Sequence, residues 1–168
     1  MDPAALRARQ APLKTRYRED PGQARVTSRA VGTLRPETLS VTVIPTPGPV
    51  DAGLHPATGG DGSLRCSGDM LLEALVACAG VTLLAVATSM GISIRGGEVT
   101  AEGDWDARGT LAVNREVPVG LTAVRVGVRL QSAATPEQLA KLLTLTERYC
   151  VVAQTLRAAV PVEIRSVS

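Results

Sequence analysis

From Leu71 to Ile92 the chain is almost unbrokenly apolar: LLEALVACAGVTLLAVATSMGI. Only Glu73 carries a charge in it. A run this long, without alternation, predicts a helix that is apolar all round and forms the centre of a compact core. Ser67 is placed to cap its start, Asp69 to favour the positive end of its dipole, and Gly91 to close it. Shorter patterns flank this helix. Residues 3–19 read as one or two short helices broken near Pro12, and DPG at 20–22 reads as a turn. Residues 24–32 and 38–45 alternate and are rich in β-branched residues, which predicts a hairpin closed by LRPE. Strands are expected near 93–103, 106–113 and 121–131. The last alternates cleanly, with Val124, Val126 and Val128 on one face and Arg125 and Arg129 on the other. TPEQLAKLLTLTERY (135–149) predicts a helix capped by Thr135, with Pro136 in its first position. CVVAQTLRAA predicts a further helical segment, and PVEIRSV a closing strand. The order is hairpin, long helix, meander, helix, strand: an α+β fold with a mostly antiparallel sheet. An N-terminal helical arm (1–22) is set apart from the main domain (23–168).

Composition narrows this. The 168 residues are 45% hydrophobic, yet hold no Phe, one Trp and two Tyr. The core must be built from Ala, Val and Leu. That leaves little apolar area per residue and favours a dimer interface as a supplement. A net charge of +2 does not call for a nucleic-acid partner. The basic stretch LRARQAPLKTRYRED reads as a solvated amphipathic helix. The Met70–Met90 stretch is long enough for a membrane span. Its Glu73, its Ala and Val content and its isolation favour a core helix, so no membrane partner is expected. MDPAALRARQ lacks the apolar segment of an export signal. Three cysteines, an odd number, do not describe a disulfide-stapled secreted domain. A cytoplasmic protein with reduced thiols is expected.

The chemistry-bearing residues are few. Cys78 sits inside the apolar helix, where a cysteine is often a small hydrophobe. Cys150 follows the second long helix, a place from which a second thiol can meet it. The Gly-, Pro- and Asp-rich stretch before the long helix ends at the helix that carries Cys78, and long loops are often functional. Metal ligation has no CxxC spacing and one histidine, His55, so no metal and no cofactor is expected. Ser/His/Asp hydrolysis would rest on the same histidine without a GxSxG elbow. GGDGS at 59–63, part of the His55–Ser63 loop, lacks the lysine and context of a phosphate loop and reads as a turn. Cys66 precedes the long helix, where a thiolate is favoured; it is either incidental or a competing second thiol. Trp105 and Tyr149 read as packing or dimer contacts.

SGDMLLEALVACAGVTLLAVA, followed 72 residues after its cysteine by LTERYCVVAQTL, resembles the OsmC/Ohr family of thiol-dependent hydroperoxide reductases. In that family one cysteine lies in a central helix, and the second in a C-x-V-x-x-T-L-like segment after a later helix. The resemblance implies an OsmC-like fold, with mostly antiparallel sheets packed around a long central helix in an intertwined homodimer. It implies that Cys78 attacks the peroxide as a thiolate and that Cys150 condenses with the resulting sulfenic acid. It further implies an organic hydroperoxide substrate and a thiol reductant such as a dihydrolipoyl protein. An arginine held by a carboxylate would offset the burial that raises the thiol pKa. Arg29 and Arg35, in the first hairpin, are the candidates for the arginine. Asp69 matches the family's glutamate by its offset from Cys78, with a side chain one methylene shorter, and Glu73 is its rival. On a straight helix Asp69 lies about 180° and Glu73 about 140° around from Cys78. Contact with the sulfur then needs a bent helix start or the partner subunit.

Three functions follow. One is a cysteine-based peroxidase. A second is a module binding a small apolar ligand, its cysteines mere packing. A third is a redox sensor that reacts once without turnover.

Overall fold

The computed structural model describes residues 3–36, 40–44, 52–158, 160–163 and 165–166. Within these, the side chains of residues 3–7, 9, 26–32, 35 and 40–44 are not described. The chain runs α1 (Pro3–Glu19), β1 (Arg25–Arg35), β2 (Ser40–Ile44), β3 (Ala52–Gly53), β4 (Arg65–Cys66), α2 (Ser67–Ser89), β5 (Ile94–Asp106), α3 (Ala107–Thr110), β6 (Ala123–Ser132), α4 (Pro136–Tyr149) and α5 (Val151–Arg157).

α2 is the axis of the fold. Its C-terminus closes in a Schellman motif, as the Gly at 91 predicts. Gly91 takes φ +68°; its N–H donates to the Thr88 carbonyl and that of Ile92 to the Ala87 carbonyl. At the other end Cys66, not Ser67, is the N-cap, and it makes no side-chain capping bond. Ser67 is already helical because the two-residue β4 strand delivers the chain to position 66 in extended form. One face of α2 is fully buried: Leu72, Leu75, Val76, Leu83 and Leu84. By length and hydropathy α2 could cross a membrane; in the fold this face packs against protein.

What it packs on is a four-stranded sheet ordered β2-β1-β5-β6, antiparallel throughout. Val99 and Ala101 of β5 and Leu34 of β1 meet the α2 leucines. Leu142 of α4 and Cys150 close the far side of the same core. The 25–35 and 40–44 strands form the expected hairpin. The alternation read in β6 is also realised. Arg125 reaches Asp104 (2.5 and 3.0 Å) and Arg129 reaches Glu98 (3.2 Å), while Val124, Val126 and Val128 line a cavity on the helix side. In α4, Thr135 and Gln138 form a reciprocal capping box.

A smaller cluster, Tyr17, Ala24, Ala107 and Leu111, joins α1 to α3. The buried Tyr17 hydroxyl donates to the Ala57 carbonyl (2.9 Å), which ties α1 to the loop before α2. That loop is stitched by a parallel pairing of β3 and β4. Within it Asp61 accepts from the Ser63 N–H and hydroxyl, so GGDGS forms turns.

Three expected elements differ. Residues 3–19 form one helix through Pro12, not two broken there. Residues 106–113 do not form a strand. β5 continues unbroken to Asp106, whose carboxylate accepts the Arg108 N–H and starts a helical turn. A short-range carboxylate bond of this kind competes successfully with the ladder. The described residues of 160–166 form no strand.

Candidate active site

Cys78 and Cys150 meet where α2, α4 and α5 converge. The two are far apart in sequence and come from different elements. Cys78 projects from the middle of α2 and is half-buried. Cys150 is the joint between two helices, C-cap of α4 and N-cap of α5, and only 1% exposed. Its N–H donates to the Thr146 carbonyl (2.9 Å), and Thr146 is itself buried, so the joint is firmly held.

The two sulfurs are in direct hydrogen-bond contact and are electrostatically unequal. Burial pushes the Cys78 thiol up, but its hydrogen bonds outweigh burial. The backbone N–H of Val152, the Cys150 thiol, the N–H of Val151 and the Thr82 hydroxyl all favour the thiolate and hold Cys78 below the usual thiol range. For Cys150, burial pushes the same way as its neighbour. Desolvation first, then the Cys78 thiolate beside it, raises it above that range, against the opposing N–H of Ala153. Of the two, Cys78 gives up its proton the more readily and Cys150 holds its proton the longer. A thiolate with a depressed folded pKa adds stability above its unfolded value, and this is lost as pH falls through the folded value.

This asymmetry has a chemical readout. Iodoacetamide is expected to modify Cys78 ahead of Cys150 at neutral pH, and the Cys78 rate to persist as pH drops below about 8.5, the ordinary thiol value. Peptide mapping of the modified cysteines checks it. Preferential labelling of Cys150 would reverse the assignment.

A family model described as OsmC-like protein matches residues 60–165. The chain belongs to the OsmC-like family. The fold agrees with two solved structures. One is an OsmC-like hydroperoxide resistance protein from Jannaschia sp. CCS1, with a TM-score of 0.56, 16% identity, and 86% of this chain and 91% of that chain covered. The other is an OsmC-like protein from Mycoplasma pneumoniae, with a TM-score of 0.56, 16% identity, and 76% and 85% covered. No curated protein matches in sequence. The matched span holds both cysteines and both candidate carboxylates. Arg29 and Arg35 precede it.

In this OsmC-like protein Asp69 and Glu73 lie nine and five residues before Cys78 on the one helix α2. Glu73 pairs with Arg65 at 2.7 Å, their side chains 16% and 20% exposed. Asp69 has one carboxylate oxygen buried with no hydrogen-bond partner among the described residues. Arg65 was not singled out in the sequence. No periodic signal marks it, because Arg65 lies in β4 and Glu73 in α2, on either side of a strand–helix junction. Arg29 and Arg35 lie on β1 at the registers of Glu102 and Ser40, and their side chains lie outside the described residues. Cys66 is separated from Cys78 by 12 residues of helix, about 18 Å at 1.5 Å per residue. It cannot compete as a second thiol within one chain. His55 accepts the Ala57 N–H on Nδ1 and meets the Trp105 ring edge-on at 5.2 Å, in the α1–α3 region.

Two apolar surfaces border the pair. A cavity of about 460 Å³ is walled by Leu75, Val126, Val128, Leu143 and Leu156, and reaches Cys150. Along another face of α2, Leu71, Ala74, Cys78, Val81 and Ala85 form a stripe in alternating three- and four-residue steps. Leu71 and Val81 are 39% and 41% exposed.

Proposed function

We propose that this chain is a cysteine-based peroxidase that reduces organic hydroperoxides with electrons from thiols. The observation that carries the reading is the meeting of Cys78 and Cys150 in one core where α2, α4 and α5 converge, with Cys78 the more acidic of the two thiols. The thiolate attacks the outer peroxide oxygen. The O–O bond breaks, the alcohol leaves with a proton, and Cys78 becomes a sulfenic acid. Cys150 then attacks that sulfur, hydroxide leaves as water, and a Cys78–Cys150 disulfide forms. The groups that lower the Cys78 pKa belong to the folded chain itself, as electrostatic preorganisation requires. A dithiol, such as a dihydrolipoyl group, returns the pair to its starting state. The likeness in fold to the Jannaschia protein, a hydroperoxide resistance protein, supports the same class.

A homodimer fits this reading. The α2 stripe has the 3–4 spacing of a helix–helix seam and lies exposed on the chain. A second copy would cover it and wall in Cys78 with apolar surface suited to an organic tail. The reaction would take place in the cytoplasm, where the thiols stay reduced. An arginine held by a carboxylate remains a proposed aid to the thiolate, with Arg29, Arg35, Asp69 and Glu73 as candidates.

The test is one equivalent of an organic hydroperoxide added to reduced protein, followed by disulfide mapping without reductant. A rapid Cys78–Cys150 link is expected, with Cys66 free. Three free thiols would overturn the peroxidase. The apolar cavity would then favour the second reading, a module for a small hydrophobic ligand, which a cysteine-free variant should bind as well as the parent. Failure of an added dithiol to sustain turnover after a rapid link would favour the sensor.

A further inference from the structure

Cys78 and Cys150 belong to one core, but they open onto different surroundings. Cys150 is among the walls of the cavity of about 460 Å³, and Cys78 is not. Cys78 stands instead in the α2 stripe with Leu71 and Val81, the face that a second copy would cover. Cys150 is almost fully buried, so a molecule that reaches its sulfur arrives through the cavity. The cavity has the size of a small-molecule site and the lining of one, mostly apolar with few polar groups. Leu75 of α2, Val126 and Val128 of β6, Leu143 of α4 and Leu156 of α5 supply the apolar wall. Its charged residues, Glu147 and Arg157, pair with each other and stand well exposed. The Gln154 amide also donates to the Glu147 carbonyl (2.8 Å), which fastens the α5 wall to α4.

We propose that this cavity is the entry for the reductant, so that a thiol carried on an apolar chain attacks the oxidised pair at Cys150 and not at Cys78. The inference rests on the reading of these cysteines as the reactive pair. One thiolate of a dithiol bonds to the Cys150 sulfur. The Cys78–Cys150 bond breaks, and Cys78 leaves with the electron pair as a thiolate. The second thiol of the reductant, deprotonated, then attacks the reductant's own sulfur in the mixed disulfide. Cys150 leaves with that electron pair, and the dithiol departs as a disulfide. Two electrons pass from the dithiol to the cysteines, and its two protons pass to solvent or to the released sulfurs.

Access and chemistry agree on this point of attack. Exchange is faster when the sulfur that leaves belongs to the more acidic thiol, and of the two that is Cys78. The lining selects the reductant. A charged thiol gives up its hydration to enter and meets one ion pair whose members already hold each other. An apolar thiol loses nothing of the kind. The peroxide then meets the pair at Cys78, from the α2 stripe, and the reductant meets it at Cys150, from the cavity under β6.

Trapping the mixed disulfide tests this. The full chain is oxidised with one equivalent of cumene hydroperoxide, and the link is verified on non-reduced peptides. The oxidised protein is then exposed to 1-butanethiol, quenched at early times with excess N-ethylmaleimide, and mapped by peptide mass. The butylthio group is expected on Cys150 and the maleimide on Cys78, in about tenfold or greater excess over the reverse pattern. At equal thiolate concentration, 1-butanethiol is expected to open the disulfide about tenfold or more faster than 3-mercaptopropionate, a thiol of similar length with a charged end. A butylthio group mainly on Cys78 overturns the proposal, and so do equal rates for the two thiols. If the hydroperoxide makes no link, diamide closes it instead; the peroxidase reading then fails while the point of attack is still tested. A pair that neither oxidant links overturns both.

Discussion

Cys78→Ser is expected to remove hydroperoxide turnover, by about a thousandfold or more, as loss of a nucleophile does. The oxygen at that position would be held by the same donors, but a serine hydroxyl stays protonated at neutral pH and attacks a peroxide poorly. Cys150 is a poor substitute, because burial raises its thiol pKa and leaves it only 1% exposed. Steady-state consumption of an organic hydroperoxide with a dithiol present measures the effect. Turnover surviving in Cys78→Ser would sink the enzymatic reading. Cys150→Ser should behave differently. One equivalent of peroxide is still reduced, and the sulfenic acid left on Cys78 then over-oxidises instead of closing a disulfide.

Leu72→Ala is expected to cost about 2–5 kcal/mol of folding stability, the range for a buried leucine truncated in a packed core. Leu72 is 0% exposed. It sits in the first half of α2, and its methyl lies at contact distance from where a side chain on Gly103 would be, next to Leu121. Helix and sheet thus touch there through a glycine, with no aromatic ring to fill the gap. The chain has no Phe, so its core relies on aliphatic side chains, each a large share of the total. Against a net stability of roughly 5–15 kcal/mol, one such loss should be plain in urea denaturation. A loss under about 1 kcal/mol would mean that the core collapses around the gap more readily than its packing implies.

Where hydrophobic periodicity was strong, the sequence told the truth about the fold. The α2 run, the β1–β2 hairpin, the alternation of β6 and the Thr135–Gln138 cap of α4 are each local signals, and the structure keeps them. The thiol pair was legible because two short motifs, not one, flank the cysteines. Illegible features depended on single polar atoms or on distance. Asp106 converts an expected strand into a helical turn by one side-chain bond, and alternation does not register that. The helix through Pro12 is held by tertiary contacts of its last turns, notably Tyr17 on Ala57. Arg65 pairs with Glu73 across a strand–helix junction, where neither the period of a strand nor that of a helix applies. The inequality of the two sulfurs was beyond reach altogether. It comes from α5 amides and a threonine hydroxyl converging on one atom, and no spacing encodes a direction.

The roughly 18 Å of helix between Cys66 and Cys78 gives the protein a thiol arithmetic. Under the proposed reaction, oxidation within a chain consumes two of the three cysteines and stops at two. A fully oxidised chain therefore still carries one titratable sulfhydryl, and its count in a thiol assay steps from three to one. A count of zero would report something else, a bond from Cys66 to another molecule. The odd cysteine would then act as a built-in tally, separating the proposed redox cycle from cross-linking between chains.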